Sequence, residues 1–153
     1  MVFVYKARPV ASVDKALRAI KEACPKATAI IVRGELGSER LLYFSLFLSF
    51  KALQSGENRA RTPELEWLSR LSCTGNISSA LLATAPRKGR DAAIASTVAF
   101  PLKLKRTLGI TGEAGGGCDE KFIKEFYGLT EAALSNYSAT DLAMEKMAVE
   151  AAR

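Results

Sequence analysis

Apolar positions along the chain recur with two periods, and the switches between them outline the elements. Residues 2–7 are apolar and β-branched and read as a first strand. Ser12 reads as a helix cap, after which Val13, Ala16, Leu17, Ile20 and Ala23 follow helical spacing until Pro25. The run TAIIVR at 28–33 reads as a short buried strand, with Gly34 and Gly37 turning the chain after it. Ser38 opens a second helix reaching Ser55, with Gly56 just past its end. Leu41, Leu42, Phe44, Phe47, Leu48 and Leu53 make it apolar on most of its circumference, which predicts a central helix covered by sheet and other helices.

Thr62, Pro63 and Glu64 form a helix start, with a capping hydroxyl, a proline at the first helical position and an acid at the positive end of the dipole. Leu65, Trp67, Leu68 and Leu71 are the expected buried side of this third helix. Glu66 and Arg70, four residues apart on the other side, read as an exposed salt bridge. Thr74 or Asn76 caps a short helix through Ile77, Ala80 and Leu81; residues 86–90 are a basic turn and 92–100 a strand. Pro101 begins a helix with Leu102, Leu104 and Leu108, and 110–118 reads as a glycine-rich connection. Asp119 caps a helix carrying Phe122, Ile123, Phe126 and Tyr127, stopped by Gly128. Thr130 and Thr140 read as caps of two last helices. The pattern predicts one α/β (α+β) domain over 1–153, a mixed sheet of about three to five strands packed with about seven to eight helices.

Composition narrows the chemistry. With 48% hydrophobic residues in 153, the chain can bury a core and is too apolar to be disordered. No apolar run approaches the roughly 20 residues a membrane helix needs. The first ten residues lack a basic segment followed by an apolar one, so no signal peptide is expected and the location reads as cytoplasmic. Cys24, Cys73 and Cys118 are odd in number, widely spaced and without a CxxC pair, so reduced thiols are expected rather than a zinc or redox site. The chain has no histidine. That removes the Ser-His and Cys-His nucleophile pairs and the usual general base near neutral pH. A non-enzyme with no metal and no cofactor is therefore expected, although Lys, Asp or Glu chemistry on a small molecule stays open. The net charge of +6 favours an anionic partner, nucleic acid first. The stretch from Gly112 to Gly117 lacks the P-loop lysine, and Glu113 would repel phosphate, so it reads as a surface loop.

Residues 58–76 concentrate Asn58, Arg59, Arg61, Thr62, Arg70, Ser72, Thr74 and Asn76 around two helix starts, where backbone N–H groups favour anions. The plain alternative is capping residues among ordinary surface charges. Here the run NRARTPELEWLSRLSCTGNISSA at 58–80 resembles the signature of the smallest, kinase-binding subunit of the KEOPS complex, the PRPK-binding (TPRKB-like) family. Ala60, Thr62, Glu66, Leu68, Arg70, Ser72, Ile77 and Ala80 fall in register with that pattern, and the stretch from Met144 to Glu150 resembles the family's closing helix. Cys73 stands where the family has glycine and Gly75 where it has arginine, which leads us to expect the flexible position two residues along; Asn76 replaces a glutamine but keeps an amide.

The resemblance implies a non-catalytic accessory role in threonylcarbamoylation of the adenosine beside the tRNA anticodon. The family binds the small atypical kinase/ATPase subunit and captures the single-stranded 3′ CCA end of tRNA. On that basis Asn58, Arg61, Thr62, Arg70, Ser72, Thr74 and Asn76 are the expected tRNA-binding residues, with Arg61 and Arg70 meeting phosphates or stacking on bases. Met144, Met147, Ala148 and Ala151 of the last helix are the expected kinase-binding surface, the alternative being that this stripe packs onto the domain itself. A protein-only scaffold is the remaining reading.

Overall fold

A computed structural model describes residues 1–114 and 118–153. In chain order the elements are β1 (Phe3–Ala7), α1 (Val13–Ala23), β2 (Ala29–Arg33), a 3-10 turn (Gly34–Leu36), α2 (Glu39–Ser55), α3 (Pro63–Leu71), α4 (Ile77–Thr84), β3 (Ala92–Ser96), α5 (Leu102–Thr107), β4 (Ile110–Glu113), α6 (Glu120–Tyr127), α7 (Glu131–Leu134) and α8 (Ala139–Ala151). The sheet order is β2-β3-β1-β4. The class is the expected α/β one, but every ladder is antiparallel rather than mixed.

Alternation along the strands sends successive side chains to opposite faces, and each face has its own core. Val4, Ile30, Val32, Ala93 and Ala95 pack beneath α2, α3, α6 and α8, with Trp67, Leu41, Leu42, Leu71, Tyr127 and Met147. Tyr5, Ala7, Ala29, Ile31 and Ile94 pack beneath α1 and α5, with Ile20, Phe100, Leu104 and Leu108. The molecule is thus a sheet between two helical layers.

Most caps fall where expected. Ser12, Thr62, Asn76, Asp119 and Thr130 each accept a backbone N–H three residues on. Thr140 does not cap α8. Ser138 does, accepting from the Asp141 N–H, while Thr140 is buried inside the first turn beside the Cys118 sulfur. The predicted strand at 92–100 stops at Ser96.

The glycine-rich connection at 110–118 begins with a strand. Residues 110–113 are mostly exposed and carry no apolar alternation, and they are held by the β1 ladder rather than by a core face. Ala114 extends this pairing by donating to the Val4 carbonyl, and residues 115–117 of the predicted loop lie outside the described residues.

Helix α2 is not enclosed. Its buried stripe comprises Leu41, Leu42, Ser45, Leu46, Ser49 and Ala52, whereas Tyr43, Phe47 and Phe50 face solvent. Ser45 and Ser49 can sit inside because each hydroxyl donates to a carbonyl of its own helix, of Leu42 and Leu46 respectively. The indole N–H of Trp67 completes the arrangement, donating to the Leu42 carbonyl and the Ser45 hydroxyl. Two serines thereby give the helix an inward face that simple hydrophobicity assigns to the aromatics.

Candidate nucleic-acid interface

The signature segment folds around a buried carboxylate. Glu66 is fully buried, not exposed, and Arg70 is 5% exposed. Glu66 Oε1 accepts from Arg70 Nε at 2.7 Å, and Oε2 accepts the backbone N–H groups of Arg59 and Ala60, both at 2.8 Å. Arg70 Nη2 donates onward to the Glu57 carbonyl at 3.3 Å. The expected surface salt bridge is therefore an internal brace, in which each charge is met by its partner and by backbone groups.

The brace sets the path of the chain before α3. Glu57 is tied to Arg70 near the C-terminal end of the helix, and Arg59 and Ala60 are tied to Glu66 nearer its start. Residues 57–60 consequently run back along α3. That is how the Arg59 side chain reaches the far end, lying within 4 Å of the space above Gly75 while Nη2 donates to the Glu150 carbonyl of α8 at 2.7 Å.

The same geometry divides the expected tRNA-binding set. Arg61 and Thr62 sit at the N-terminal end of α3, whereas Ser72, Thr74 and Asn76 follow its C-terminal end, about 13 Å away for nine helical residues. Arg70 does not reach a surface ligand, because its charge is committed inside. Ser72 donates to the Leu68 and Ser69 carbonyls, Thr74 Oγ1 accepts the Asn76 N–H, and Asn76 caps α4. Asn58 is exposed, and its amide donates to the Ala60 carbonyl. Arg61 alone of the set is exposed with no internal partner among the described residues.

The turn after α3 keeps the shape that glycine gives elsewhere in this chain. Thr74 N–H donates to the Ser69 carbonyl and Cys73 N–H to the Arg70 carbonyl, a Schellman closure with its left-handed residue at Cys73, φ +54°. Gly56 and Gly128 hold the equivalent positions after α2 and α6. The flexible position has not moved to Gly75, which is absent from the positive-φ residues. Cys73 tolerates the conformation as part of a packed turn: its side chain rests on the core beneath α2 and α3, and burial pushes its thiol from the usual 9.0 up to about 11.

Beside the brace lies a cleft of about 540 Å³ between the C-terminal half of α2, residues 57–59 and the end of α8. Lys51, Arg59, Arg70 and Arg153 contribute to its walls with Glu57, and Arg70 and Arg153 are themselves ion-paired, with Glu66 and Glu150, which leaves Lys51 and Arg59 outside the ion pairs of the described residues. Lys51 and Arg153 were missed from sequence because they lie 19 and 83 residues from Arg70, on elements that only packing brings beside α3. Arg59 is in the segment but outside the expected set, because its place at the cleft comes from the path that Glu66 imposes on residues 57–60.

The last helix behaves differently from the expected partner surface. Met147 is 1% exposed and belongs to the core, and Met144 packs half-buried against it. Ala148 is exposed and Ala151 half-buried beside the cleft. α8 lies parallel to α2, since Arg40 pairs with Asp141 at one end and both helices line the cleft at the other. The methionine stripe is thus this helix's anchor to its own domain. No protein-family model matches the chain, and no match is found among curated proteins. Among the described residues no helix is long and apolar enough to cross a membrane.

Proposed function

We propose that this chain is a non-catalytic, cytoplasmic accessory subunit of the KEOPS type, which seats the single-stranded 3′ CCA end of tRNA and binds the small atypical kinase/ATPase subunit. The observation that carries the reading is the cleft to which the signature segment contributes Arg59 and Arg70, with Lys51 and Arg59 as its cations outside the ion pairs of the described residues and Arg153 held by Glu150. A frayed RNA terminus offers phosphates and unstacked bases, and arginine guanidinium groups serve both. Arg59, rather than the inward-facing Arg70, meets the RNA, and Arg70 supports the cleft from within.

The contact with the kinase subunit moves from Met144 and Met147 to the outward side of α2. Tyr43 and Phe47 are each 53% exposed and Phe50 38%, at positions i, i+4 and i+7 of one helix. Aromatic side chains of this kind supply the anchors of protein interfaces.

The test compares tRNA with an intact CCA end and the same tRNA with the end removed, by fluorescence anisotropy on the full chain. Tighter binding of the intact tRNA is expected, and R59A/K51A is expected to abolish the difference. Equal binding of the two tRNAs, or an unchanged preference in that variant, rejects the end-binding role. Co-purification with the small kinase, lost in F47E with an unchanged melting temperature, tests the other half; no co-purification of the wild type rejects it.

A further inference from the structure

The positive excess of the molecule is not at the cleft. α1 and its flanking residues carry Arg8, Lys15, Arg18, Lys21 and Lys26 against Asp14 and Glu22, while α5 carries Lys103, Lys105 and Arg106 and no acid. These two segments together hold the same net +6 as the whole chain, so the remainder is neutral. They form one layer: α1 and α5 touch each other and cover one face of the sheet, and Arg8 joins them where its N–H donates to the Gly109 carbonyl just past α5.

The charges in this layer are also unspent. Among the described residues the ion pairs involve Lys6, Arg33, Arg40, Arg70, Lys124 and Arg153, and none involves a basic residue of α1, α5 or their flanks. All of these side chains are exposed except Lys105, which is half-buried with its ammonium 5.0 Å from the centre of the Tyr5 ring.

We propose that the α1–α5 layer is a docking surface for the phosphate backbone of an RNA duplex. Charge complementarity names the partner: eight cations outside the ion pairs, against two acids on α1 and none on α5, give two adjacent helices a net positive surface that matches a repeating array of phosphates. The surface is not a single-strand platform, because neither α1 nor α5 carries an aromatic residue on which bases could stack. An anionic membrane fits less well. α1 turns Val13, Ala16, Leu17 and Ile20 onto the sheet and has no apolar face to insert, and Leu102 of α5 is a lone exposed side chain. This goes beyond capture of an RNA end, since it concerns the opposite helical layer and reads no sequence.

Anisotropy of a short blunt RNA duplex with the full chain, followed through a salt titration, tests the proposal. The triple variant R18E/K103E/R106E is expected to bind at least about tenfold more weakly at low salt, with a log–log salt slope smaller by roughly three units, about one per lost phosphate contact. D14K/E22K, which adds charge to the same layer, is expected to bind more tightly with a steeper slope. K88E/R90E, on the basic turn outside the layer, is expected to bind as the wild type does. Unchanged affinity in both α1–α5 variants overturns the proposal. So does a wild type that ignores the duplex but sediments with phosphatidylserine vesicles. The preference for intact over end-trimmed tRNA belongs to the cleft and is expected to persist in the triple variant, so each reading can fail alone.

Discussion

Replacing Glu66 by glutamine changes one charge and almost no volume, and it is expected to be among the most damaging single substitutions in the protein. The carboxylate accepts three N–H groups through two oxygens in a fully buried site. An amide has one oxygen and one NH2. If the oxygen faces the Arg59 and Ala60 N–H groups, the NH2 faces Arg70 Nε–H, donor against donor. If it is flipped, the NH2 faces two backbone donors. Each orphaned buried donor costs about 1–3 kcal/mol, and a buried guanidinium left without its carboxylate brings the total to about 3–5 kcal/mol. That is a large share of the roughly 5–15 kcal/mol stability of an ordinary domain.

Urea unfolding of E66Q, R70M and E66Q/R70M measures this. Removing the guanidinium allows the amide oxygen to serve both backbone donors, so the double variant is expected to be more stable than E66Q by at least about 1 kcal/mol. Any pure replacement by apolar residues is expected to remain costly, because the two N–H groups of Arg59 and Ala60 would still be orphaned. A loss below about 1 kcal/mol in E66Q, or a double variant whose loss is the sum of the singles, would falsify the brace. Because the same carboxylate sets the path of residues 57–60, E66Q is further expected to weaken binding at the cleft while leaving every cleft charge in place.

Three further outcomes follow from the geometry. M147K is expected to destabilise the fold by about 3 kcal/mol or more, seen as a lower urea midpoint, because it puts an ammonium in the core; loss of a partner with full stability would instead restore α8 as the docking surface. The Cys73 thiol is raised from 9.0 to about 11 by burial, so its contribution to stability is complete below pH 9 and is lost as pH rises through 11, because the unfolded chain ionises first. C73A is expected to flatten the pH 9–10 part of that decline; the buried Tyr127 hydroxyl, raised well above 10, acts only beyond it. Asp141 is held below its usual value by the Ser138 hydroxyl and then by Arg40, so its contribution is present above about pH 4 and lost as acid titrates it. Melting curves of D141N between pH 2 and 5 are expected to show a shallower acid limb than the wild type, and an identical limb would refute that linkage.

Among the described residues, periodicity and capping by themselves determined the fold class, eight helices, three of the four strands and five of the side-chain caps, because those features depend on residues a few positions apart. Strand β4 escaped because an exposed edge strand of four residues is defined by the ladder it joins and not by its own pattern. The expected covering of α2 on most sides fails for a related reason: Leu41 and Leu42 are buried as expected, but whether Ser45 or Phe47 joins them depends on what Trp67 needs across the helix contact. The site was legible as a segment but not as an arrangement. Of residues 58–76 only Arg59 and Arg70 line the cleft, Arg70 points inward to Glu66, and Lys51 and Arg153 arrive from distant parts of the chain. Charge was countable from sequence, but its segregation onto the α1–α5 layer was decided by which helices share a face of the sheet. Local chemistry sets what each element is; only long-range packing sets which side chains remain in water, and recognition happens there.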